Sequence, residues 1–205
     1  MSALMARTLP SVSTAPHREL MRAAIERDAD AQEALLADDR EAARAAFRSA
    51  ADLYRRSWEE SPPRSYGRLV GMLKSSILAG DAGASAAFAR EALADDEVVA
   101  ASPTASYARA LCALVTGEDS NARRWSEAMA MGGEAFERTA RAITALALRD
   151  GRAYTAAVGD VVRDFEQRES HLTGVNIADT ALMLERLAAA RGMASGIESP
   201  LMPPI

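Results

Sequence analysis

One cysteine, Cys112, stands in the whole chain, so no disulfide can form within it. That fits a reducing compartment, and the expected location is the cytoplasm. No run of about 18 apolar residues occurs, so no membrane-spanning helix and no membrane partner is expected. Aromatic residues make up only 5% of the chain and β-branched runs are missing, which speaks against a sheet. Basic residues are outnumbered: 24 Lys and Arg face 29 Asp and Glu, a net charge of -5. Nucleic acid is held mainly by Lys and Arg on phosphate, so this balance speaks against a nucleic-acid partner and for a basic protein. No GxSxG, phosphate-loop, HExxH or dinucleotide fingerprint is present. No catalytic residue, metal ligand or cofactor is therefore assigned from a motif.

What is present is alanine in helical rhythm. Alanine loses no side-chain entropy in a helix and lets helices approach closely. The stretch 38–60, DDREAARAAFRSAADLYRRSWEE, organises the rest. Ala43, Ala46, Phe47, Ala50, Tyr54, Ser57 and Trp58 recur at helical spacing and set one face aside for packing. Asp38 and Asp39 precede it as a turn, and Pro62 and Pro63 end it. Before it, a helix starts after Ser13 and Thr14, with a hydroxyl as N-cap and Pro16 in the first turn. Asp28 and Asp30 interrupt the apolar side of that helix, which places it at the edge of the fold.

After the prolines a helix begins near Arg64, with Tyr66, Leu69, Val70, Leu73 and Ile77 as its stripe. Gly67 and Gly71 lie four apart on it; either a neighbouring helix approaches closely there or they are merely tolerated. Further helices carry Phe88; Tyr107 and Leu111; Trp125 and Met129; Phe136 and Ile143; Tyr154, Val158, Val161 and Phe165. A final helix spans about 177–191, stopped by Gly192. That makes about nine helices. Turns at Asp38, Gly80, Gly117 and Asp150 recur at intervals of 42, 37 and 33 residues.

This period, and the segments REAARAAFRSAADLY and LAGDAGASAAFAREAL, resemble tetratricopeptide hairpins. The Trp-Leu-Gly-Tyr set of that repeat is absent. The expected fold is all-α, an irregular tetratricopeptide-like array of antiparallel helical hairpins, each needing its neighbour to bury its face. The expected layout is a flexible tail over 1–14, one helical domain over 15–196 with a seam near 95–103, and an extended tail over 197–205. Ile197, Leu201, Met202 and Ile205 are expected to pack that tail back near Leu182 and Leu187.

Two constellations could carry function. Tyr54, Arg55, Trp58, Arg64 and Tyr66 flank the Pro-Pro turn, and aromatics beside arginines dominate binding hot spots; the other reading makes the aromatics core knobs. Asp160, Asp164 and His171 fall on roughly one helical face, where carboxylates and imidazole could bind a divalent metal. The plainer reading is a solvated helix end with Arg163 and Arg168 pairing with acids. Cys112, inside an apolar helix, reads as a small buried hydrophobe.

The stretches FEQRESH and ALMLERLAAARGMASGIESPLMPP close the chain with a helix, an Arg-Gly break and a Glu-Ser, hydrophobic, Pro tail. Leu187, Ala188, Arg191, Gly192, Glu198, Ser199, Leu201 and Pro203 carry this pattern, which resembles the end of the bacterial immunity protein 49 family over about the last 40 residues. Where that family has an aromatic-rich segment before the last helix, this chain has Ser170-His171-Leu172-Thr173. The resemblance implies a non-enzymatic protein that binds and neutralises a cognate toxin, a basic one by charge. A structural scaffold is the second expectation and a metal-dependent enzyme the third.

Overall fold

The computed structural model describes residues 15–204, and they form helices and connecting turns with no strand. Ten α-helices follow in order: α1 (Pro16–Leu36), α2 (Arg40–Glu59), α3 (Gly67–Ala79), α4 (Gly83–Ala92), α5 (Asp96–Ala100), α6 (Pro103–Thr116), α7 (Asp119–Met129), α8 (Glu134–Ala147), α9 (Gly151–Glu166) and α10 (Asp179–Ala189). The one beyond the expected nine is α5, a single turn in the proposed seam. Asp95 caps it, accepting from the N–H groups of Glu97 and Val98.

All four recurrent turns are built alike. Each puts one residue in the left-handed region: Asp38 (φ 56), Gly80 (φ 83), Gly117 (φ 77) and Arg149 (φ 57). At each, that residue's N–H reaches the carbonyl three back and the next N–H reaches the carbonyl five back, as in Asp81 to Ser76 and Asp150 to Ala145. This Schellman closure satisfies the last carbonyls of the outgoing helix. It makes hairpins of α1/α2, α3/α4, α6/α7 and α8/α9.

Between hairpins, α2 packs on α3, α3 and α4 on α6, and α7 on α8. The last helix breaks the solenoid pattern. α10 turns back onto α3 as well as α8 and α9. Thr173, in the loop before it, donates to Gln32 of α1 at 2.5 Å. The first and last parts of the chain are thus stitched together.

Phe47, Tyr66, Leu69, Leu73, Ile77, Tyr154, Val158, Val161 and Phe165 are all buried, as their stripes require. Several local expectations need correction. The third helix begins at Gly67, not near Arg64, because Arg64 takes φ 70 in the turn after the prolines. Asp28 does not face solvent: it is 4% exposed and accepts from Tyr54 at 2.9 Å and Ser75 at 2.7 Å, while α1, packed on α2, does stand at the end of the array. The first helix opens at Pro16 with Ala15 as an N-cap that makes no side-chain bond. The expected Ser13-Thr14 cap and the 1–14 tail lie outside the described residues. Among those residues, no helix is long and apolar enough to cross a membrane.

Candidate functional site

The aromatic and arginine residues around the Pro-Pro turn do not share one surface. Tyr54 is in the core, 2% exposed, with its hydroxyl on Asp28. Trp58 and Tyr66 stack on each other, centroids 5.9 Å apart, as knobs between α2 and α3. Arg55 pairs with Glu59 and lies 4.5 Å over the ring of Phe88 on α4. Arg64 stands exposed in the turn.

The proposed metal face is not assembled. α9 ends at Glu166, so His171 falls outside the helix and stacks instead on Phe165, centroids 5.8 Å apart. Asp160 is held by Arg141 and Arg163, and Asp164 by Arg138 and Arg168. Among the described residues no three His, Cys, Asp or Glu side chains come together in a way that could hold a metal. Cys112 is buried, and burial pushes its thiol up to about 12, so it is no nucleophile.

A buried polar chain runs beneath the point where α10 meets α3. Lys74 of α3 donates to Asp179, the first residue of α10, at 2.5 Å. Burial pushes the Lys74 pKa down, but Asp179 and Asp28 outweigh it and raise it above the ordinary value. Burial likewise pushes Asp28 up to about 6, against the pull of Lys74 and its two hydroxyl donors. Sequence reading passed over Lys74. The signal was there: it is the only lysine of the chain, set among apolar residues of α3.

A cleft of about 260 Å³ opens beside this chain, walled by α3, α6, α8, α9 and α10. Val70, Tyr107, Phe136 and Val161 give it apolar sides, and Arg138, Asp164 and Arg168 give it a charged end. Tyr107 meets Phe136 edge to face at 6.3 Å. Its hydroxyl is buried without a hydrogen-bond partner among the described residues.

A second concavity, about 480 Å³, lies on the outer face where α7, α8 and α9 meet. Its floor is small and apolar: Ala130, Ala140, Ala145, Ala153, Ala156 and Ala157, with Leu148 beside them, 55% exposed. Glu127, Glu137, Asp150 and Asp160 line its margin with Arg141; Asp160 is paired with Arg141 and Arg163, and Glu127 with Arg123. Ala140, Ala145 and Ala157 are buried as their helical stripes require, and Ala153 and Ala156 are the floor residues left exposed.

No family model matches the chain, and no curated protein or solved structure matches it either.

Proposed function

We propose that this chain is a non-enzymatic protein-binding module, and that the alanine-floored groove across α7, α8 and α9 receives a basic helix of its partner. The observation that carries the reading is the pairing of an open apolar floor with four carboxylates at its margin. Alanines let a partner backbone approach closely, and an acidic margin speeds the approach of a basic one. The net charge of -5 acts in the same direction over longer range. Within this reading, the C-terminal resemblance favours an immunity protein that neutralises a basic toxin in the cytoplasm of the cell that makes it. A scaffold would instead join copies of this chain.

The test is a pull-down from the native host with the wild type and with Leu148→Arg and Ala156→Arg. Both positions are exposed, so the variants fold while the groove is blocked and made basic. The expected result is one basic protein retained by the wild type and lost by both variants, more weakly held at high salt. A partner retained equally by all three would overturn the placement on this groove. Recovery of the chain itself would favour the scaffold.

A further inference from the structure

The cleft between α3, α6, α8, α9 and α10 shares α8 and α9 with the protein-binding groove but has a different lining and a different chemistry. Its charged end carries two guanidinium groups on one carboxylate: Arg138 and Arg168 both donate to Asp164. Arg168 uses Nε and Nη2 there, and Arg138 uses Nη2. The Nε of Arg138 and the Nη1 of Arg168 make no hydrogen bond among the described residues. The other acid near Arg138, Glu134, is 92% exposed at 3.7 Å. Glu134 stands out in solvent, so at the end of the apolar cleft two guanidinium groups share the single carboxylate of Asp164.

The mouth supplies an independent observation. Gly67 lines the cleft, and a Cβ built on it would meet nothing within 4 Å. Its backbone is not left-handed, so neither conformation nor packing calls for glycine. What the missing side chain does is leave the opening clear. The volume has room for roughly nine waters. That suits one flat ring system with a short acidic arm.

We propose that this cleft binds a small aromatic carboxylic acid. Its carboxylate bridges the free N–H groups of Arg138 and Arg168, in the geometry for which guanidinium is suited. Its ring lies against Tyr107, Phe136 and Val70. The proposal does not rest on the protein-binding reading.

The experiment is titration calorimetry on the full chain with 2-naphthoate and 3-phenylpropionate as probes and 2-naphthamide as the neutral control. At least one of the acids binds at a single site, and the amide binds about tenfold more weakly or worse, the loss expected for a charge-assisted contact. Gly67→Leu fills the mouth and abolishes binding. Arg168→Gln brings the acid down to the affinity of the amide. Leu148→Arg, in the other groove, leaves acid binding unchanged, so failure of one site is distinguishable from failure of the other. Thermal melts confirm that each variant is folded, and if Gly67→Leu is not, Arg168→Gln decides alone. Neither acid binding at millimolar concentration, equal binding of acid and amide, or an affinity indifferent to both variants would overturn the proposal.

Discussion

A Cβ placed on Gly71 would stand 2.7 Å from Cε1 of Tyr54 and 2.8 Å from its Cζ. The ring of Tyr54 lies flat on the α3 backbone, and its hydroxyl reaches past to Asp28 on α1 at 2.9 Å. Tyr54 of α2 thus touches both α3 and α1, and Ser75 of α3 reaches the same Asp28 at 2.7 Å. Gly67, four residues earlier, has open space where its Cβ would be.

The two glycines therefore respond oppositely to alanine. Gly71→Ala gains helix propensity but forces the Tyr54 ring and its hydrogen bond to shift, and overpacking of this kind costs about 1–3 kcal/mol. Gly67→Ala meets no obstacle, and as Gly67 is the first residue of α3 its propensity gain is below the roughly 0.5–1 kcal/mol of an interior position. Chemical denaturation of both should show the midpoint falling for Gly71→Ala and rising for Gly67→Ala. A higher midpoint for Gly71→Ala would mean that Tyr54 is free to move.

The contrast marks where sequence reading stops. The spacing of Gly67 and Gly71 is visible in the chain, but their different surroundings are set by a side chain thirteen or more residues away. Nine of the ten α-helices, their stripes and all four hairpin turns were legible, because Schellman turns and 3.6 periodicity are local. The return of α10 onto α3 was not, since it depends on Lys74 meeting Asp179 across 105 positions. His171 was misplaced because nothing local announced that α9 stops at Glu166. Both concavities were invisible for the same reason: each is made by helices from different hairpins.

Asp28 makes stability fall as pH rises. Its folded pKa, pushed up to about 6 by burial, exceeds the unfolded value of 3.8. Between these values the folded chain binds more protons than the unfolded one. Protonation therefore favours folding, and this contribution fades as pH climbs through 4 to 6, by at most about 1.4 kcal/mol per pH unit. The Asp28→Asn variant should lack this slope. Other carboxylates titrate in the same range, so the quantity to measure is the stability difference between wild type and variant at several pH values. A difference that stays flat, or that grows in favour of the wild type as pH rises, would show that Asp28 remains ionised in the fold.

The hydroxyl of Tyr107 is a liability to the fold. It is buried with no partner among the described residues, and burial, with Asp179 nearby, raises its pKa well above the usual phenol range, so it stays protonated. An unsatisfied buried donor costs roughly 1–3 kcal/mol. Tyr107→Phe keeps the edge-to-face contact with Phe136 and removes that cost. The variant should be more stable than wild type by about 1 kcal/mol in urea denaturation. A loss of stability would reveal a hydrogen bond that this geometry does not contain.

The C-terminal tail is held by several different contacts. The N–H of Ala178, the N-cap of α10, donates to the Leu201 carbonyl at 2.9 Å. Ser199 donates to Glu166 at the end of α9 at 2.7 Å. Ile197 reaches Gly159, where its Cδ1 would lie 3.5 Å from a Cβ. Just before the tail, Glu185 of α10 accepts from both Ser195 N–H at 3.0 Å and the buried Tyr154 hydroxyl at 2.7 Å. The anchoring contacts fall on α9 and on the start of α10, at Ala178, one turn before Leu182. Ile205 lies outside the described residues. Ile197, Leu201 and Met202 are half-buried against the core, so each contributes less than the roughly 1.5–3 kcal/mol of a fully buried side chain. Proline at 200, 203 and 204 lowers the entropy lost on docking, because its φ is already fixed. Deleting residues 197–205 also strips a backbone acceptor from the N-terminus of α10, where free N–H groups have few other partners. The truncated chain should be less stable by about 1–3 kcal/mol, and amides of the first turn of α10 should exchange faster with deuterium. An unchanged melting temperature together with unchanged exchange at Asp179–Ala181 would mean that the tail rests on the surface without holding α10 in place.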